Sequence, residues 1–226
     1  MPFFTLTAKE MANRDSKAAQ ERPSLRQEQK RLTYERLLAS AIEVFEETGY
    51  RAATIAQIAQ HAGADRTTFY LHFKNKSDVA TGIARRHTSA TAKHFHALDN
   101  LSNPSLKDVR AWVKLIFNYW TGFSTELEVL CEAIASDAEL SSLTADYNAH
   151  LANIVTRNSS HGMSAKERRI MRAKAMLLIS TQRDAMFSIL CRKQTAISLN
   201  HIVDALASLW WECLYQHVSA TDTKKN

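Results

Sequence analysis

Along most of the chain, apolar positions recur at helical rather than strand spacing. From about Leu25 to Thr48, Leu38, Ala41, Ile42 and Phe45 form the buried stripe of a first helix, which ends at Gly49-Tyr50. Ile55, Ile58, Ala59 and Ala62 give one apolar face to a second, short helix, and Thr54 with Gln57 fits a capping box at its start. Gly63 ends it, because the chain must turn left-handed there and only glycine does so without strain. Asp65 can cap a third helix in which Phe69 and Phe73, four apart, share a face. These three helices close a small core around Phe45, Ile58, Phe69 and Phe73. Asn75 and Asp78 can cap a fourth helix, Lys76 to about Leu98, that is polar on most faces with Val79, Ile83 and Phe95 as scattered anchors.

The run from Asp99 to Pro104 is a break. Ser105 can cap the next helix, about Leu106 to Phe123, where Val109, Trp112, Val113, Ile116, Phe117 and Trp120 form an apolar band that Leu115, Tyr119 and Phe123 extend. Only a narrow strip of Lys107, Arg110, Lys114, Asn118 and Thr121 is left polar, so this helix is expected to be largely buried. Leu127, Leu130, Cys131 and Ile134 mark a sixth helix, and Leu143, Tyr147, Leu151, Ile154 and Val155 a seventh. After a loop at Asn158–Gly162, Ser164 and Glu167 open a helix to about Cys191, and a last one spans about Ser198 to Val218. Glycine (5) and proline (3) are too scarce to turn a many-stranded sheet, which makes the chain all-α. It divides into a leader (1–24), a first domain (25–75), a second domain (76–219) and a loose polar tail (220–226). The leader reads either as a frayed segment or as a basic arm reaching DNA phosphates or the minor groove.

Two short helices around Gly63, the second leaving Arg66, Thr67, Tyr70, Leu71 and His72 off its apolar face, make a helix-turn-helix, which offers the start of its second helix to a DNA major groove. The whole run AIEVFEETGYRAATIAQIAQHAGADRTTFYLHFKNKSDV, Ala41 to Val79, resembles the tetracycline-repressor (TetR) family of bacterial transcription regulators. It departs from that pattern at Ala53, where Thr or Ser is common, at Asp65, where Ser usually caps, and at Thr67, where Gly is frequent. The resemblance implies an N-terminal three-helix DNA-binding domain and a C-terminal helical domain for ligand binding and dimerisation. By position in the motif, Arg66, Thr67, Leu71 and His72 are expected at base edges or nearby sugars. Thr54, Thr68, Tyr70 and Lys76 are expected at phosphates. An Arg can pair bidentately with guanine, while hydroxyls and Lys position the backbone. Asp65 puts a carboxylate near phosphates and is better read as a cap.

The resemblance also makes a small-molecule effector site expected in the second domain, with Trp112, Tyr119, Trp120, Phe123, Leu127, Cys131, Tyr147 and Met176 as lining and Asn118, Asn148 or Gln182 as polar anchors. For any one of these, plain core is the competing reading. The last two helices carry broad apolar faces: Ile170, Leu177, Leu178, Met186 and Ile189 on the first, and on the second a row of Ile202, Leu206, Leu209 and Cys213 beside a row of Val203, Trp210 and Leu214. This predicts a homodimer through a four-helix bundle of residues 165–191 and 198–218, suited to a pseudo-palindromic double-stranded DNA operator.

Charge adds a bias. The net charge is +6, with +4 of it between Arg22 and Arg86 and +2 from His87 onward, which suits an anionic partner at the front of the chain. His87 and His94 share a helical face while His96 points away, so these are read as surface or linker histidines, with no metal. Cys131, Cys191 and Cys213 lack metal-ligand spacing and fit a reducing compartment. A DNA-binding redox sensor using those cysteines is the alternative to ligand control. No membrane-length apolar run occurs, and the start MPFFTLTAKEM lacks the basic leader and long apolar stretch of a signal peptide, so a cytoplasmic protein is expected. No catalytic set appears at a telling spacing, and neither an enzyme nor a cofactor is expected. The reading is therefore a ligand-released repressor.

Overall fold

The computed structural model describes residues 24–194 and 196–222, with side chains up to Gln216; the expected leader lies almost wholly outside them. Among the described residues every regular element is helical. The helices are α1 Leu25–Thr48, α2 Ile55–His61, α3 Arg66–Tyr70, α4 Lys76–Asp99, α5 Leu106–Thr121, α6 Ser124–Ser136, α7 Ala138–Val155, α8 Ala165–Met186 and α9 Leu199–Asp222. The chain forms two compact units, Met1–Val79 and Ala80–Asn226.

Caps written in neighbouring residues set most helix starts. The Ser24 hydroxyl accepts from Gln27 N at 3.2 Å while Gln27 Oε1 accepts from Ser24 N at 2.7 Å, so α1 carries a capping box that the sequence reading passed over. Thr54 with Gln57, Ser105 with Asp108 and Ser164 with Glu167 form the same reciprocal pair. Asn75 Oδ1 accepts from Asp78 N at 2.8 Å, and Asp78 reaches back to Lys74 N at 3.1 Å. Between α2 and α3, Gly63 sits at φ +60°, in the left-handed region expected of it.

In the first unit, α1 packs on α2 and α2 on α3. Leu37, Leu38, Ala41, Ile58, Phe69 and Phe73 are buried, and Phe73 is stacked on Tyr34 at 4.8 Å and near Phe69 at 5.7 Å. Ile42, expected in the stripe, is half-buried at its margin.

In the second unit, α9 packs on α5 and α8, and α8 on α7. Trp112, Phe95 and Trp210 meet edge to face at 5.2–6.2 Å in the middle of this core. Asp99, fully buried at its side chain, is held by Arg157 at 3.1 Å and by Asn158 N at 2.8 Å.

Three expectations of extent change. Leu115 lies across α5 from the buried band and is exposed, so that band is narrower than its composition suggested. The end of α8 widens into a π-helical turn, Phe187–Cys191, in which Arg192 N bonds Phe187 O at 3.2 Å. Helix α9 runs to Asp222, past the expected end at Val218.

Candidate nucleic-acid interface

The start of α3 is built around Asp65. Its carboxylate accepts from Thr68 N at 2.6 Å, and bonds from the Thr68 N–H and hydroxyl, then the Thr67 N–H, hold it below the usual carboxylate range. Asp65 is therefore the cap it was read to be. Thr68 is half-buried with its hydroxyl engaged on that cap, so it is not a free phosphate contact. Arg66 and Thr67 stand exposed on the first turn. Tyr70 and Leu71 follow, 50% and 70% exposed, while Phe69 between them is fully buried. One buried aromatic thus fixes an edge on which a cation, a hydroxyl, a phenol and an aliphatic side chain face outward.

The other expected contacts are placed differently. Lys76 turns inward: its Nζ donates to Tyr50 O at 2.8 Å, Arg51 O at 3.0 Å and Ala53 O at 2.8 Å, and lies 5.1 Å from the Tyr50 ring centroid. An ammonium has three protons, and all three are engaged on the turn before α2, leaving none for a phosphate. His72 is half-buried beside Tyr34, 6.4 Å between centroids, with Nδ1 sealed from solvent and unpartnered; burial, then the Lys30 charge, lowers its pKa. It packs rather than faces outward. Thr54 uses its hydroxyl inside the capping box, accepting from Gln57 N at 3.2 Å and donating to Gln57 Oε1 at 2.8 Å.

Replacing Lys76 by Met should therefore lower the thermal stability of the first unit by about 1–3 kcal/mol, because the three carbonyls lose a charged partner. The dependence of DNA affinity on salt should stay as in wild type, whereas loss of a phosphate contact lowers that slope by about 1. Melting curves and salt titrations of the same variant separate the two roles.

In the second unit, the residues expected to line a ligand site split into two groups. Trp112 and Leu127 belong to the closed core, and Trp120, Cys131, Tyr147 and Met176 pack against it, whereas Tyr119 and Phe123 lie outside it. Asn118 is exposed, so it anchors nothing inside. Asn148 donates to Ser180 Oγ at 3.2 Å and Gln182 accepts from Trp210 Nε1 at 2.8 Å, so both proposed anchors serve neighbouring helices.

Tyr119, Trp120, Phe123 and Tyr147 are half-buried and gather at α4. Tyr147 Oη donates to Thr88 O at 2.9 Å, Tyr119 Oη lies 2.9 Å from His87 Nδ1, and the His87 ring is 4.7 Å from Trp120 and 4.8 Å from Phe123. His87 is no surface histidine: it is 5% exposed, and burial pushes its pKa down against the opposing effect of Glu126. Sequence spacing put His87 and His94 on one face but could not show that Tyr119, far along the chain, joins them. No group of three or more metal-ligating side chains forms among the described residues.

Residues 37–82 match the family model for bacterial regulatory proteins of the tetR family. The fatty acid metabolism regulator protein of Bacillus subtilis is 42% identical over 55 residues, 24% of this chain and 28% of that one. The transcriptional activator FasR of Mycolicibacterium smegmatis is 29% identical over 83 residues, 37% of this chain and 38% of its own. These matched stretches thus span well under half of either relative. The fold extends further: the Bacillus subtilis regulator FadR, solved with stearoyl-CoA, superposes with a TM-score of 0.59 over 78% of this chain and 97% of that one, at 17% identity. The likeness to the tetR family of bacterial regulatory proteins thus lies in residues 37–82, and beyond them the chain shares the fold of solved regulators.

Proposed function

We propose that this protein is a homodimeric, sequence-specific DNA-binding transcriptional regulator whose hold on a pseudo-palindromic operator is released by a small, largely apolar ligand in the second unit. The observation that carries the DNA part is the outward edge of Arg66, Thr67, Tyr70 and Leu71 on a helix fixed by the Asp65 cap and the buried Phe69. Arg66 supplies the guanine-type contact, Leu71 an apolar surface for a thymine methyl, Thr67 a hydroxyl for a base edge or nearby sugar, and Tyr70 a hydroxyl for a phosphate. Operator occupancy without ligand makes it a repressor; the FasR relative, named an activator, shows a similar head used with the opposite sign. A reporter placed behind the operator decides between them, since repression requires expression to rise when the regulator is deleted.

For the dimer, Ile170, Leu177 and Leu209 remain exposed on α8 and α9, where a second copy is expected to cover them. For the ligand, support comes from the half-buried aromatic cluster on α4 and α5, and from a neighbour of the same fold that holds stearoyl-CoA. Ligand binding favours an arrangement of α4 that spaces the two heads wrongly for DNA, a population shift rather than a competition for one site. Burial works against the cysteine alternative. It pushes Cys131 up to about 12 and Cys191 and Cys213 to about 11, leaving them protonated and poorly nucleophilic at neutral pH.

The test is selection of bound duplexes from a random pool, at fixed salt, by wild type and Arg66→Ala. Wild type should enrich a pseudo-palindrome. The variant should relax one matched position in each half-site, by about 1–3 kcal/mol per half. Weak, salt-sensitive binding with no enriched sequence would overturn the reading.

A further inference from the structure

Resting on the proposal of an apolar ligand in the second unit, we infer that His87 is its polar recognition residue, donating a hydrogen bond from Nε2 to the carbonyl oxygen of an uncharged apolar compound held among Tyr119, Trp120 and Phe123. Two nitrogens in this cluster are sealed from solvent with no partner, His87 Nε2 and His94 Nε2, and their rings lie 5.9 and 5.4 Å from the Tyr119 ring. A buried nitrogen left unbonded is costly, and a native structure rarely tolerates one without a use for it.

The proton on His87 can be placed. Tyr119 Oη and His87 Nδ1 lie 2.9 Å apart, a bond whose direction follows the imidazole tautomer; the phenol proton has no other acceptor among the described residues, so we take the phenol as its donor. Burial raises the Tyr119 pKa and lowers that of His87, so the phenol stays protonated and the imidazole neutral. With Nδ1 accepting, the imidazole proton sits on Nε2, which is then a donor lacking an acceptor. The missing group is therefore an acceptor oxygen. It is uncharged, because Glu126 lies close enough to raise both pKa values and would repel a carboxylate. Trp120 packs against the edge of the core, while Tyr119 and Phe123 are half-buried outside it and can shift to admit an apolar body.

Fluorenone and fluorene, flat molecules differing by one carbonyl, test this on the full-length protein by calorimetry. Wild type should prefer fluorenone by roughly fivefold, and the carbonyl infrared band of bound fluorenone should move to lower wavenumber. His87→Phe keeps an aromatic ring and should abolish both the preference and the band shift. Tyr119→Phe, which frees the proton to move to Nδ1, should weaken both while leaving His87 in place. Equal affinity of wild type for the two probes would overturn the donor role, with Glu126 or water completing His87, and would leave an apolar site standing. Binding of neither probe would overturn the site itself, without touching the operator selection that tests DNA reading.

Discussion

Phe69→Ala should abolish operator binding by unfolding the DNA-reading head. Phe69 is fully buried, with Phe73 at 5.7 Å and Tyr70 at 5.6 Å between ring centroids. Truncating a buried Phe costs about 3–5 kcal/mol, and a unit this small has little more than that in reserve. The tryptophans allow the damage to be located, because Trp112, Trp120, Trp210 and Trp211 all lie in Ala80–Asn226 and none in the head. Far-ultraviolet circular dichroism should lose helix at low denaturant while tryptophan fluorescence unfolds near the wild-type midpoint. If both signals shift together, the two units fold as one cooperative body and the loss cannot be assigned to the head.

What the sequence made legible follows from how local each feature is. A capping box lies within four residues, so Thr54 with Gln57 and Ser164 with Glu167 could be read directly, and the helices begin where those pairs put them. Gly63 carried its conformation in its identity. Spacing put Phe69 and Phe73 inward, and both are buried, although α3 ends at Tyr70 and Phe73 follows it in the turn; Arg66, Thr67, Tyr70 and Leu71 are left outside. Where a long polar side chain goes is a different matter. Lys76 has the composition of a phosphate contact, yet its partners are carbonyls of Tyr50, Arg51 and Ala53, brought near only when α1 and α2 pack. Asn148 and Gln182 looked like spare polar groups until Ser180 and Trp210, on other helices, met them. His87 failed in the opposite direction. On a polar helix it read as surface, but α5 brings Tyr119 and Trp120 over it and the turn after α5 brings Phe123. Pattern fixes which face of a helix is wet only on average, and the exceptions here are the residues with chemistry.

The dimer proposal makes the second large prediction. Leu177→Glu should convert the protein to a monomer in sedimentation equilibrium and remove its affinity for the full operator. Leu177 is 69% exposed on α8, with Ile170 and Leu209 also exposed on α8 and α9, so none of the three is needed to close the core of its own unit. In a two-fold interface each substitution occurs twice. Losing burial of one Leu costs about 1.5–3 kcal/mol, so the pair costs roughly 3–6 kcal/mol before the added penalty of enclosing two carboxylates. That corresponds to a dimer dissociation constant raised by roughly two to four orders of magnitude. A monomer still presents one intact reading edge, so it should bind an isolated half-site weakly, with the Arg66-dependent base preference retained. Helix content should stay close to wild type, because the substituted side chain already faces water in the single chain, while the melting temperature should fall by the lost dimer linkage and cease to depend on protein concentration. A variant that remains dimeric and fully active would place the interface elsewhere. One that loses half-site preference together with dimerisation would mean that the head depends on the partner for its fold, a stronger coupling than two separately folded units predict.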